Sequence, residues 1–485
     1  MPHKSVLKNY IYNTIYQIVL VAAPLITTPY LARVLGAEGI GTYSFSASIV
    51  TYFTLFATMG TAAYGQREIS YVQDDREKRT EVFWNTEVFS CISTFICLVL
   101  YGVYVFFRFS DNITIYTIFS LNIIIVVFDI TWLFQGMEEF GTIMFRNIFF
   151  KLMNVVYIFV FIHNKDDLEL YIFGMCLFPL LGMFSLWKGL NRIVDRPNWR
   201  KIHPFTNFKT ILSLFIPFVA ISIYTVLDKT MLGFFTDTKV ENGYYEQALG
   251  LAKTVLTFVT ALGTVVASRI GYHYEKQEME IVRTYLYKSY RFVWFLGIPL
   301  ALGTICISAN LVPWFLGKGY DKVVPLLSVL SLLILVIGVS NVTGVQYLVP
   351  TKRQNYLTFT VIAGAVVNFT LNLLMIPYWF SIGAAVASVI AEMFIAVVQL
   401  FIIRKEISPW KIILSGRNYW IAGTIMFGVL YGVGKYLEPS PFHSIIIILC
   451  GGIIYCFFLF ILKDTFFAGQ IKNLLQRFKN IKELT

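Results

Sequence analysis

Seven ionisable side chains sit where hydropathy places hydrocarbon: Arg33, Asp129, Lys151, the adjacent Asp228 and Lys229, Lys253 and Glu392. A charge at mid-bilayer costs at least about 2.5 kcal/mol on insertion scales, so such groups face a wet cavity or a partner. The cations Arg33, Lys151, Lys229 and Lys253 suit an anionic head group. Arginine grips a phosphate with two parallel bonds, and lysine acts as a point charge. The carboxylates Asp228, Glu392 and Asp129 are candidates for taking up a coupling proton or cation. Each residue also has a plainer reading. Arg33 and Lys151 can snorkel to an interface, Asp228 can neutralise its neighbour, and Glu392 can cross-link two helices. As a set, the cations favour a cavity. Arg67 and Arg269 fall at helix ends, where anchoring to the cytoplasmic face is the commoner role.

Other chemistry is missing from the chain. Gly36-Ala-Glu-Gly39-Ile-Gly41 lacks the spacing and the preceding strand of a phosphate-binding loop, and there is no nucleotide-binding motif. Neither a nucleophile elbow nor a metal-ligand cluster occurs, so the sequence points to no enzyme, no cofactor and no metal. The six cysteines all lie in apolar runs and read as small buried hydrophobes.

The elements that must hold these charges are membrane helices. Of 485 residues 57% are hydrophobic and 14% charged, where a soluble chain has roughly a quarter charged. The mean hydropathy is +0.68. Apolar runs of about twenty residues recur, long enough to cross a core about 30 Å thick. They predict an all-α integral membrane protein of about fourteen spans, the first near 10–34 and the last near 443–462. They do not alternate as the strands of a β-barrel would. The net charge of +11 does not indicate nucleic acid, because the basic residues crowd the loops of one side. Arg76, Lys78, Arg79, Arg192, Arg200, Lys201, Lys352, Arg353, Arg404 and Lys405 all fall there, which puts both termini in the cytoplasm. The start of the chain has no cleavable signal: Lys4 and Lys8 precede an apolar run followed by more of the same.

One order of features occurs twice. An apolar segment with Pro24, a turn, Gly41-Thr-Tyr43 and a second apolar run close on Arg67; Pro217, a turn, Gly243-Tyr-Tyr245 and another run close on Arg269. The interval from glycine to arginine is the same in both copies. Hydropathy-level repeats build many transporters, with the substrate site where the halves meet. The hydrophilic break at Arg192–Phe208 divides the copies. It sets an N-terminal lobe at 1–195, a second lobe at 196–408, two further spans at 409–464 and a tail at 465–485. In the tail, Ile471, Leu474, Leu475, Phe478 and Ile481 share one helical face among lysines and an arginine, the pattern of a helix lying on the cytoplasmic leaflet. Pro24, Pro29 and Pro217 predict kinks in the first and seventh spans. Nothing requires more than a monomer.

Several stretches are familiar as a group. Pro29-Tyr-Leu-Ala-Arg33-Val-Leu-Gly36 running to Gly41-Thr-Tyr43, then Trp132-Leu-Phe-Gln135-Gly136-Met-Glu138 with Arg146-Asn147, lie in the first half. Asn368, Asn372, Ile376-Pro377, Gly383-Ala-Ala and Glu392 lie in the second. Together they resemble the polysaccharide-unit flippases of the multidrug/oligosaccharidyl-lipid/polysaccharide exporter superfamily. The resemblance implies two six-helix lobes related by a pseudo-twofold axis around a V-shaped cavity, with two helices after them. It implies a bacterial plasma-membrane protein that moves a lipid-linked oligosaccharide, typically on undecaprenyl pyrophosphate, to the outer leaflet by alternating access. Coupling to an ion gradient is expected, and its partners would be membrane lipids and other polysaccharide-assembly proteins. Related flippases carry cavity arginines where this chain offers Lys229 and Lys253. The alternatives are a cation-coupled multidrug exporter, which would favour an acidic cavity, and a glycan polymerase or ligase, which would need a large outer loop.

Overall fold

The structure, a computed structural model, describes residues 6–261, 263–470 and 476. Among them there is no strand. In hydrocarbon a backbone must satisfy its own polar groups, which leaves the helix as the solution for long apolar runs. The first helices are α1 (Val6–Val34), α2 (Gly36–Thr58), α3 (Thr61–Tyr71), α4 (Arg76–Arg108), α5 (Ile113–Phe128) and α6 (Thr131–Gly136). Then come α7 (Phe140–Phe161), α8 (Leu168–Leu186), α9 (Phe208–Phe235), α10 (Val240–Thr260), α11 (Gly263–Glu275) and α12 (Met279–Phe315). The last are α13 (Val323–Leu330), α14 (Leu332–Thr343), α15 (Gln354–Ile402), α16 (Pro409–Ser415), α17 (Arg417–Gly434) and α18 (Pro441–Ile461). Caps mark the starts that leave a loop. Asp75 accepts the Lys78 N–H at 3.0 Å ahead of α4, and Ser440 accepts from His443 ahead of α18.

Among the described residues, nine helical stretches are long and apolar enough to cross a membrane, ten if the bent pair α10–α11 is one span. The expected fourteen is not confirmed by this measure, in which α15 counts once although it is two helices. Phe380, at φ 51°, breaks α15 into halves that fold back on each other. A side chain at Gly383 would run into the Met375 carbonyl, and one at Gly364 into Ile395. Helix α1 runs on through Pro24 and Pro29. The expected tail helix lies, from residue 471 on, outside the described residues.

The chain forms two compact units, 1–243 and 244–485, so α9 packs with the first. In that unit α2 is central, with α4, α5 and α9 around it. Beyond them, α5 packs on α8, α8 on α7, and α7 on α1. The threonines of α2 return their hydroxyls to carbonyls one turn back, Thr51 to Ala47 and Thr54 to Val50. At one end of α2 the two glycines of the repeat meet reciprocally. A Cβ on Gly41 would lie 1.6 Å from the Lys239 carbonyl oxygen, and one on Gly243 1.9 Å from that of Ala37. The segments 37–41 and 239–243 thus cross backbone on backbone, where only hydrogen fits.

In the second unit α12 is central, packed by α14, α17 and α18. Two polar clusters tie its ends. Buried Asp464 accepts from Arg291, Tyr419 and the N–H groups of Phe466 and Phe467. Glu406 takes two bonds from Arg353, at 2.6 and 3.0 Å, and one from the Tyr347 hydroxyl. Partial burial works against the charge of Glu406, but these donors outweigh it and hold its carboxyl below the usual range.

Two outcomes follow. Replacing Gly41 with alanine should destabilise the protein by about 2 kcal/mol or more in chemical unfolding. Gly102→Ala, where nothing lies within 4 Å, should change it by less than about 0.5 kcal/mol. For Glu406 the lowered pKa means that its stabilisation is complete above the usual carboxylate value and is lost as pH falls through the lowered one. The melting temperature of Glu406→Gln should therefore lie below wild type at neutral pH, and the gap should close below about pH 4.

Candidate functional site

One side of α7 is polar along its length. Arg146, Asn147, Lys151 and Asn154 recur with the spacing of neighbouring helical turns, and Phe150 sits among them. These five residues line a cavity of about 380 Å³ inside the first unit. Helix α8 supplies Met175, Phe178, Pro179, Gly182 and Met183, α6 supplies Thr131 and Gln135, and α1 supplies Leu20. Pro179 has no N–H to return to the Met175 carbonyl, so the α8 wall is one intrahelical bond short.

The two cations are held differently. Arg146 is 7% exposed. Its Nε donates to Asn147 Oδ1 at 3.1 Å, and a terminal nitrogen reaches Met183 Sδ at 3.2 Å and the Gly182 carbonyl at 3.4 Å. Asn154 donates to the Gly174 carbonyl at 3.2 Å, pinning α7 to α8. Lys151 is half-buried and makes no hydrogen bond or ion pair with another described residue. The described lining holds two cations, two asparagines, a glutamine and a threonine, and no carboxylate. Its chemistry is that of an anion site, with aromatic and thioether walls.

A second hollow of about 490 Å³ lies where α2, the end of α4 and the 233–239 loop meet. Its cations are already engaged. Lys239 donates to the carbonyls of Gly233 and Thr236 and covers the Phe45 ring, and Arg108 lies over Phe234. Glu38 and Asp237 also line it, so its charge is mixed.

The sequence candidates separate. Arg33, Asp129, Lys151, Asp228 and Lys229 belong to the first unit, Lys253 and Glu392 to the second. Lys151 is in the α7 cavity. Arg33 is exposed in the last turn of α1, and Lys253 is exposed on α10. Asp228 is buried and Lys229 half-buried on α9, where Lys229 offers its carbonyl to Asn242. Glu392 is half-buried in the second half of α15. Asp129 is not inside a helix. It occupies the break between α5 and α6, and its Oδ1 accepts from the Thr131 N–H and hydroxyl, which starts α6.

Two residues escaped the sequence reading. Arg146 stood in a motif without being assigned to the cavity, which it lines together with Lys151. Glu87 on α4, 3% exposed, lies in a run where Thr86, Ser90, Ser93 and Thr94 are also buried. That polar face is the signal that marks it.

The motif Trp132–Glu138 does two jobs. Trp132 stacks on Phe83 with ring centroids 5.5 Å apart and fills the space left by Gly65, while Gln135 faces the cavity. The pattern of the family described as "Polysaccharide biosynthesis protein" matches residues 6–270, which covers the whole cavity. The chain belongs to that family. Among its relatives is the "Putative O-antigen transporter" of Escherichia coli (strain K12), 24% identical over 413 residues, 83% of this chain and 97% of that protein. The fold is similar to that of the lipid II flippase MurJ in an inward closed conformation, with a TM-score of 0.72 at 18% identity, covering 94% of this chain and 98% of that one. It is also similar to an inward-facing multidrug resistance transporter of the MATE family in the MOP superfamily, with a TM-score of 0.64 at 15% identity, covering 81% and 94%. This polysaccharide biosynthesis protein is thus a multi-pass membrane protein with the all-α fold of MOP-superfamily transporters.

The different settings of the two cavity cations set different expectations. Arg146→Met breaks several bonds at once and should cost about 2 kcal/mol of stability. Lys151→Met removes a charge from low-dielectric surroundings and should leave the melting temperature in detergent unchanged or raised.

Proposed function

We propose that this protein flips lipid-linked oligosaccharide units, of the undecaprenyl-pyrophosphate type, from the inner to the outer leaflet of a bacterial plasma membrane by alternating access. The observation that carries the reading is the α7 cavity, where Arg146 and Lys151 line a space without a carboxylate inside a polysaccharide biosynthesis protein. A diphosphate head group matches a buried guanidinium beside a lysine. The cavity falls in the size range of a small-ligand pocket, so it would seat the phosphates and leave the lipid tail in the bilayer. The O-antigen transporter relative and the lipid II flippase fold support the same class of cargo.

In this reading the lobes 1–195 and 196–408 rock about a pseudo-twofold axis, and both termini are cytoplasmic. Arg33, Lys229 and Lys253 add cations along the path, Asp228, Glu392 and Asp129 are candidates for ion coupling, and no covalent chemistry is performed on the cargo. Of the alternatives, a multidrug exporter for organic cations would be served by acids in the cavity wall, and none is among the described lining residues. A polymerase or ligase would need a catalytic constellation, and the cavity offers no acid, nucleophile and base together.

The test is flipping of a fluorescent lipid-diphosphate oligosaccharide in proteoliposomes. Lys151→Ala should lower the initial rate at least about tenfold, equal to about 1.4 kcal/mol, while keeping the wild-type melting temperature. Lys229→Ala and Lys253→Ala measure the contribution of the other cations. A wild type that flips nothing yet drives efflux of an organic cation down an opposing gradient would replace this reading with the exporter.

A further inference from the structure

Glu87 is buried in the first half of the membrane-spanning helix α4 without a partner among the described residues. It is 3% exposed, its Oε1 is sealed from solvent, and it makes no hydrogen bond or ion pair with any described residue. Its polar neighbours on α4 are provided for: Thr86 donates to the Val82 carbonyl at 2.8 Å and Ser93 to the Ala57 carbonyl at 2.6 Å.

The charged groups on the elements packed against it are spoken for or remote. On α3, Arg67 and Glu68 pair with each other at 2.7 Å. Arg79, two turns earlier on α4, donates to the carbonyls of Ile193 and Gln73. Helix α5 carries no charged residue, and the Glu38 of α2 is in its first turn. The charge that does reach Glu87 is that of Asp129 at the end of α5. Cys91, one turn further along α4, is a neighbouring thiol.

A buried carboxylate with neither donor nor cation is unfavourable, and a proton on it removes the charge. We propose that Glu87 is the proton-binding site that couples this transporter to a pH gradient. This rests on the transport reading above and names its coupling ion. One lone pair suffices for a proton, whereas a metal cation needs several oxygens, and no group of three or more acids, histidines or cysteines occurs among the described residues. Asp129 accepts from Thr131, and Thr131 lines the Arg146–Lys151 cavity. The cycle moves one proton onto Glu87 and off again, with no other bond made or broken.

Dicyclohexylcarbodiimide tests the site without any transport assay. The carboxyl oxygen adds to the carbodiimide carbon and the acid proton passes to nitrogen, so a buried acid is labelled in its protonated form. In the full-length protein in liposomes, peptide mass spectrometry should find the adduct on Glu87, weakening as the pH is raised and absent in Glu87→Gln. A Glu87 that stays unlabelled at every pH, while exposed carboxyls react, overturns the proposal. In flipping assays an imposed pH gradient should stimulate wild type and Glu87→Asp, and the stimulation ratio of a folded Glu87→Gln should fall to about 1. Full stimulation in Glu87→Gln likewise overturns it. A wild type labelled on Glu87 that flips nothing under any gradient would overturn the transport reading instead.

Discussion

A surrounding that offers no hydrogen bonds decides what every polar side chain on these helices can do. In hydrocarbon an unpaired group costs several kcal/mol, so each must be returned to the chain, paired, or given a cavity. All three solutions are present. The α2 threonines bond to their own helix. Asn368 and Asn372, both fully buried on the first half of α15, bond side chain to side chain at 3.1 Å one turn apart. The polar face of α7 opens a hollow. The first two solutions are not taken at Lys151 and Glu87.

The same constraint explains what was legible in the sequence. Helices announced themselves by apolar length, and Lys151 by being a charge within one. The number of spans was harder to read, because a fold-back such as that at Phe380 blurs the link between one apolar stretch and one helix. Facing was not legible. Lys253 and Lys151 look alike in a hydropathy profile, yet one is exposed on α10 and the other lines a cavity. Glu87 lies close to the polar start of α4, where a sliding window cannot tell an interfacial acid from a buried one. Asp129 was visible as a charge, but its capping role depends on a helix break that no periodicity signals.

The family motif shows how packing and chemistry share a short segment. Trp132 needs the side-chain-free face of Gly65, and Ile69 that of Gly136, to seat α6 against α3, and Gln73 locks the arrangement by donating to the Gly136 carbonyl at 2.6 Å. That anchoring fixes the direction in which Thr131 and Gln135 point. A change at Gly65 would therefore reach the anion cavity through the tilt of α6, without touching a lining residue.

The crossing of 37–41 with 239–243 has a consequence for how such sequences diverge. Each glycine makes room for the other segment's carbonyl, so the two positions answer a single separation between backbones. If the segments spread by an ångström or two to admit a side chain at one position, the demand for glycine at the other lapses with it. Residues about two hundred positions apart are thereby bound to vary as a pair, and a lineage that lost one glycine would be free of both.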